Sequence, residues 1–126
     1  MEPQRLQAIL NAPVQRLVRN FAPERIVLFG SYAKGSDHPG SDIDLLVVAA
    51  LEGDPAAHLR RARQLVADAF PPIDVTFCSP AEAAGATALP SPFLHSILGS
   101  GITLYQREPK PGQTLQSPGL PPEMED

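Results

Sequence analysis

At 126 residues the chain has the length of a single domain, which excludes a multidomain machine, and its 43% apolar content suffices for a core without cross-links, which excludes global disorder. Ten Lys and Arg against fourteen Asp and Glu give a net charge of -4, so nothing pulls the chain toward polyanions in general and nucleic acid is disfavoured as a ligand. The lone cysteine, Cys78, and the lack of any apolar run of signal-peptide or membrane-spanning length point to the cytoplasm, with no membrane partner.

Leu6, Ile9, Leu10, Val14, Leu17, Val18 and Phe21 recur at three- and four-residue steps and predict a helix from about Pro3 to Asn20, bent or split at Pro13. Arg25 to Phe29, rich in β-formers and closed by Gly30, predicts a short buried strand. Ser31 opens the short segment SYAKG. A Gly-, Ser-, Asp- and Pro-rich loop then leads into the apolar run Ile43 to Ala50, the pattern of a central strand. Asp54-Pro55 reads as an N-cap with proline at the first helical position, opening a helix that ends near Phe70, where Pro71-Pro72 stops it. Ile73 to Phe77 alternates as a third strand. Ser79-Pro80 and Ser91-Pro92 each begin a short helix, the second ended by Gly99-Ser-Gly101, and Ile102 to Tyr105 is an edge strand. The sum is an α/β (α+β) domain with a short sheet of three to four strands flanked by helices, over residues 1–107. Fifteen prolines are an unusual share for this length, and five of them fall in the last eighteen positions. Residues 108–126 therefore read as a disordered Pro-rich tail.

The chemistry-bearing pattern is Gly30-Ser31, ten residues, then Asp42-Ile43-Asp44, with a further carboxylate, Asp74, inside the next strand. Side chains alternate along a strand, so Asp42 and Asp44 share one face while Ile43, Leu45 and Val47 take the other. If the Ile43 and Ile73 strands are neighbours, Asp74 reaches the same point. Three oxygen-rich ligands then suit magnesium, with phosphates and waters completing its shell. Taken alone, Asp42 is a turn or cap residue, Gly30-Ser31 a structural turn and Lys34 a solvated lysine that could add charge to a polyphosphate. Asp44 and Asp74 resist so plain a reading, because apolar β-formers flank each and an unpaired carboxylate there would be costly. The glycine admits a phosphate close to the backbone, and the Ser31 hydroxyl can donate to it. His58, Arg60, Arg61 and Arg63 form a basic stretch, read as a solvated face or else a partner contact.

The segment LFGSYAKGSDHPGSDIDLLVV, with the carboxylate in IDVTF and the ending FLHSILGSGITLY, resembles the minimal nucleotidyltransferases of the DNA polymerase beta-like superfamily over Pro3 to Gln106. That resemblance implies the nucleotidyltransferase fold, with a short mixed sheet. It also implies that Ser31 and the Gly30 backbone hold the phosphates of a nucleoside triphosphate, ATP in this group. Asp42 and Asp44 would bind two magnesium ions, and Asp74 would bind the catalytic metal and orient the attacking hydroxyl. Small members of the group pair with a helical HEPN protein as toxin–antitoxin systems in which the transferase adds AMP to the toxin. The expected function is therefore protein nucleotidylation by an antitoxin. A binding antitoxin without catalysis, and transfer to a small molecule such as an aminoglycoside, are the alternatives.

Overall fold

The structure, a computed structural model, describes residues 1–85 and 91–107. Nine elements follow in chain order: α1 (Pro3–Phe21), β1 (Arg25–Phe29), α2 (Ser31–Lys34), β2 (Ile43–Val48), α3 (Pro55–Leu65), β3 (Ile73–Cys78), α4 (Pro80–Ala83), α5 (Pro92–Ser100) and β4 (Ile102–Gln106). The expected Pro-rich tail lies outside the described residues.

The four strands form one mixed sheet in the order β3-β2-β1-β4. β1 runs antiparallel to both β2 and β4, whereas β2 and β3 are parallel and joined through α3. β2 is an interior strand and its apolar run is used on both faces. Ile43, Leu45 and Val47 face α1 and α3 together with Ile26, Leu28, Leu10 and Leu17. Leu46 and Val48 face the other way, against Val27, Cys78 and the α5 residues Leu94 and Ile97. Full burial of one such Leu or Val contributes about 1.5–3 kcal/mol. This one strand therefore anchors two layers of core at once.

The termini of the helices follow from their caps. The Asp54 side chain accepts from the Ala56 N–H at 3.1 Å, with Pro55 supplying a preset φ at the first turn of α3. Ser79 and Glu82 close a reciprocal capping box on α4. Ser91 accepts from Leu94 at the start of α5.

Two boundaries differ from the sequence expectation. α1 is one helix, with Pro13 inside it and buried. The bond lost at Pro13 is local, and the packing of Leu10, Leu17 and Phe21 into the core keeps both halves in one helix. α3 ends at Leu65 rather than near Phe70. Here the cause is tertiary: Arg16 Nη1 of α1 donates to the Leu65 carbonyl at 3.0 Å and pairs with Asp68, while the Ala69 N–H turns back to Val66. The carbonyl that would carry the helix onward is thereby taken by a side chain.

Candidate active site

β2 and β3 are paired in register from Ile43 with Ile73 to Val48 with Cys78, and the second rung is Asp44 with Asp74. Parallel neighbours lie about 4.8 Å apart, and residues on one rung point to the same face. The two carboxylates thus stand side by side at the N-terminal end of the strand pair, on the face that carries Leu46, Val48 and Cys78 further along. α5 covers that face only over its apolar part.

Asp42 lies just before β2 and is exposed; Asp44 is half-buried, and Asp74 is exposed on the outer strand β3. The sequence argument that Asp74 suffers a desolvation cost therefore does not hold. β3 is an edge of the sheet, and water reaches its first rungs. Asp44 behaves as that argument requires: burial first, then the charges of Asp74 and Asp42, hold its carboxyl above the usual value near 3.8. Neither of the ion pairs formed among the described residues, Met1–Asp37 and Arg16–Asp68, involves these three acids, nor Lys34, which is exposed in the last turn of α2. Among the described residues no three His, Cys, Asp or Glu side chains are gathered closely enough to hold a metal ion by themselves.

Gly30 stands between β1 and α2 with φ 78° and ψ -154°, a conformation open to glycine and strained for other residues. A Cβ added there would overlap the Asp44 Oδ2 atom. The absent side chain is therefore what lets the chain turn directly over the carboxylate. Ser31 follows as the first residue of α2, half-buried. The loop from Gly35 to Asp42 is folded on itself: the His38 N–H donates to Ser41 Oγ at 3.0 Å, the Ser41 N–H donates to the His38 carbonyl, and the buried Tyr32 hydroxyl donates to the Ser41 carbonyl at 3.3 Å. Tyr32 so ties the residue before Asp42 to the residue after Ser31.

Two aromatic residues to which the sequence assigns no role in the site are linked to Asp44, one directly and the other through the first. Phe29 is the register partner of Asp44 across the β1–β2 pair, and the ring of Phe93 at the start of α5 meets it edge to face, with centroids 6.1 Å apart. A Phe ending one strand and a Phe on a remote helix carry no shared sequence signal.

Asp42 and Asp74 are exposed and Asp44 is half-buried between them. Clefts of about 420, 520 and 460 Å³ lie at the α1–β4 groove, beside the Asp37–Ser41 loop, and at the far ends of β2 and β3. None is lined by Asp42, Asp44 or Asp74, although the second includes Ser41 and Pro72, which precede Asp42 and Ile73.

At the other end of β3, Cys78 is buried, and burial first, then the nearby Glu82 charge, push its thiol up to about 11. Thiolate is the reacting form, so a rise of this size lowers reactivity near pH 8 by roughly 100-fold relative to a free cysteine. The folded chain is expected to react with an aromatic disulfide reagent at least that much more slowly than the urea-unfolded chain, read as thiolate release over time. Equal rates would show that Cys78 is open to solvent.

The nucleotidyltransferase domain family model matches residues 12–89, and the chain belongs to that family, within the polymerase beta-like superfamily. Among solved structures, a chain in the crystal structure of a toxin–antitoxin with AMP-PNP is similar at 30% identity, with a TM-score of 0.52, covering 76% of this chain and 73% of that one. No curated protein matches the chain. Among the described residues no helix is long and apolar enough to cross a membrane.

Proposed function

We propose that the chain is a magnesium-dependent nucleotidyltransferase that moves AMP from ATP onto a hydroxyl of a partner protein, as the antitoxin of a cytoplasmic pair whose other member is a helical HEPN protein. The catalytic domain is residues 1–107, with 108–126 as an appended tail. The observation that carries the reading is the register pairing of Asp44 with Asp74 under the Gly30 turn. Family membership supports nucleotidyl transfer, and the similarity to a toxin–antitoxin with AMP-PNP supports a nucleotide and a protein partner.

The donor set fits magnesium: carboxylate oxygens only, with Asp44 repelled by Asp74 and Asp42 in a way that a cation would relieve. Asp42, Asp44 and Asp74 would hold two magnesium ions, which when bound lower the pKa of the acceptor hydroxyl and stabilise the departing pyrophosphate. Three protein ligands do not close a shell here, so phosphate oxygens and water supply the rest. The Ser31 hydroxyl donates to a phosphate oxygen, Gly30 lets that phosphate meet the backbone, and Lys34 adds positive charge to the polyphosphate. Asp74, exposed on the outer strand, faces the acceptor and orients its hydroxyl or takes its proton. The acceptor oxygen forms a bond to the α-phosphorus while the bond from that phosphorus to the bridging oxygen breaks, and pyrophosphate leaves with the electron pair.

The exposure of Asp42 and Asp74 favours a macromolecular acceptor, since a docked partner would exclude water from them. The test is α-labelled ATP with magnesium, the full chain and a purified HEPN protein encoded beside it. Label is expected on the partner, and none when magnesium is chelated. A partner that is bound and inhibited yet never labelled from any of the four triphosphates would make this chain a binding antitoxin instead.

A further inference from the structure

The face that holds the acids does not end at Asp44. Phe29 lies directly across the β1–β2 pair from it, and side chains so placed have Cβ atoms about 4.5–5.5 Å apart. Phe29 is half-buried against the cluster that Leu94 and Ile97 of α5 form with the sheet, whereas Phe93 is 58% exposed. The two rings are nearly perpendicular, at 88°. In either sense of an edge-to-face pair, Phe93 keeps at least one ring face that Phe29 does not cover, and the exposure shows that it meets solvent. The ring thus offers an apolar face to solvent next to Phe29, the cross-strand neighbour of Asp44.

We propose that Phe93 is the platform on which the base of the nucleoside triphosphate stacks, so that the site takes purine nucleotides ahead of pyrimidine ones. The inference rests on the reading of Asp44 and Gly30 as the phosphate and metal end of that site. A triphosphate held there leaves its nucleoside to lie along the adjoining surface, and Phe29, paired across from Asp44, carries the Phe93 ring against it. Stacking accepts every base because each has a π face, and a purine covers more ring than a pyrimidine. Preference between purines and pyrimidines thus comes from area, without any hydrogen bond that reads a base edge.

The chain lacks tryptophan, so Phe93→Trp introduces a sole indole, whose fluorescence reports a stacked base. With the full chain and magnesium, titration of Phe93→Trp is expected to quench with ATP or GTP at lower concentration than with CTP or UTP, and not with inorganic tripolyphosphate. In parallel, Phe93→Ala is expected to weaken ATP binding about 5- to 150-fold, the range of one base–aromatic stack. Its tripolyphosphate binding is unchanged, and in the transfer assay the loss falls on KM with kcat retained. Unchanged ATP affinity in Phe93→Ala, or an equal loss for ATP and tripolyphosphate, overturns the platform while the transferase reading stands. Failure of the unaltered chain to bind magnesium-ATP at all overturns both.

Discussion

Replacing Asp44 by asparagine is expected to abolish nucleotidyl transfer, by on the order of 10³-fold or more, while leaving the chain folded and slightly more heat-stable. The two effects have one origin. Asp44 is half-buried beside Asp74, and with no cation its charge is opposed first by desolvation and then by its two acidic neighbours. Because its folded pKa lies above the ordinary value, folding favours the protonated form. The metal-free chain therefore holds its full share of stability below about pH 4 and loses some as pH rises through the folded value. Asparagine removes that loss at neutral pH and makes no difference in acid. Partial access to water screens the repulsion, so the gain is small, a rise in Tm of about 1–3 °C at pH 7. Thermal unfolding in chelator at pH 7 and at pH 3.5 checks the sign, and magnesium should raise the Tm of the parent but not of the variant. A variant less stable than its parent at both pH values would show that Asp44 is a structural residue.

The second large effect is expected at Gly30. Alanine there meets two obstacles: a φ of 78° with extended ψ, and a methyl group placed on the Asp44 carboxylate. The strain amounts to about 1–3 kcal/mol, or a fall in Tm of roughly 5–15 °C for a domain of this size. Displacement of the carboxylate should cost a further 100-fold or more in transfer at temperatures where the variant is folded. Gly35 provides the contrast. It also has positive φ, at 72°, yet a Cβ there meets nothing within 4 Å, so Gly35→Ala carries only the left-handed penalty of about 1–2 kcal/mol and keeps its activity. Equal losses of activity in both variants would reduce the Gly30 effect to backbone strain.

The contrast between local and tertiary causes also decides what the sequence made legible. Elements ended by Gly, Pro and Asp were readable because each terminator acts on its own backbone, as at Asp54-Pro55, Ser79-Pro80 and Gly101. The end of α3 was not, since the group that takes the Leu65 carbonyl is Arg16, on another helix. Nor does Pro13 split α1, for the same reason: its penalty is local and the packing that outweighs it is not. Within the site, the motif pointed to Asp42, Asp44 and Asp74 as a set. It could not say that Asp44 and Asp74 share a rung, because strand order is a property of the whole sheet. Nor could alternation along IDVTF foretell that Asp74 is exposed, which depends on β3 being an edge. Gly30 was recognised for backbone freedom, but its closeness to Asp44 became visible only with both strands in place. The Phe29–Phe93 contact joins residues far apart in the chain and leaves no periodic trace.

The pairing pattern of the sheet also bears on the order in which the molecule comes together. β2, α3 and β3 are consecutive, so the rung of Asp44 and Asp74 closes a short loop, and β1 reaches β2 across the single Ser31–Asp42 segment. β4 instead returns from the far end of the described chain to set Gln106 against Arg25, which carries the largest loop-closure entropy of the sheet. Contacts that are cheap to close form early, and β4, an edge strand of half-buried and exposed residues, is a natural place for local opening. Two strands separate β4 from β3, so fraying there leaves the Asp44–Asp74 rung paired.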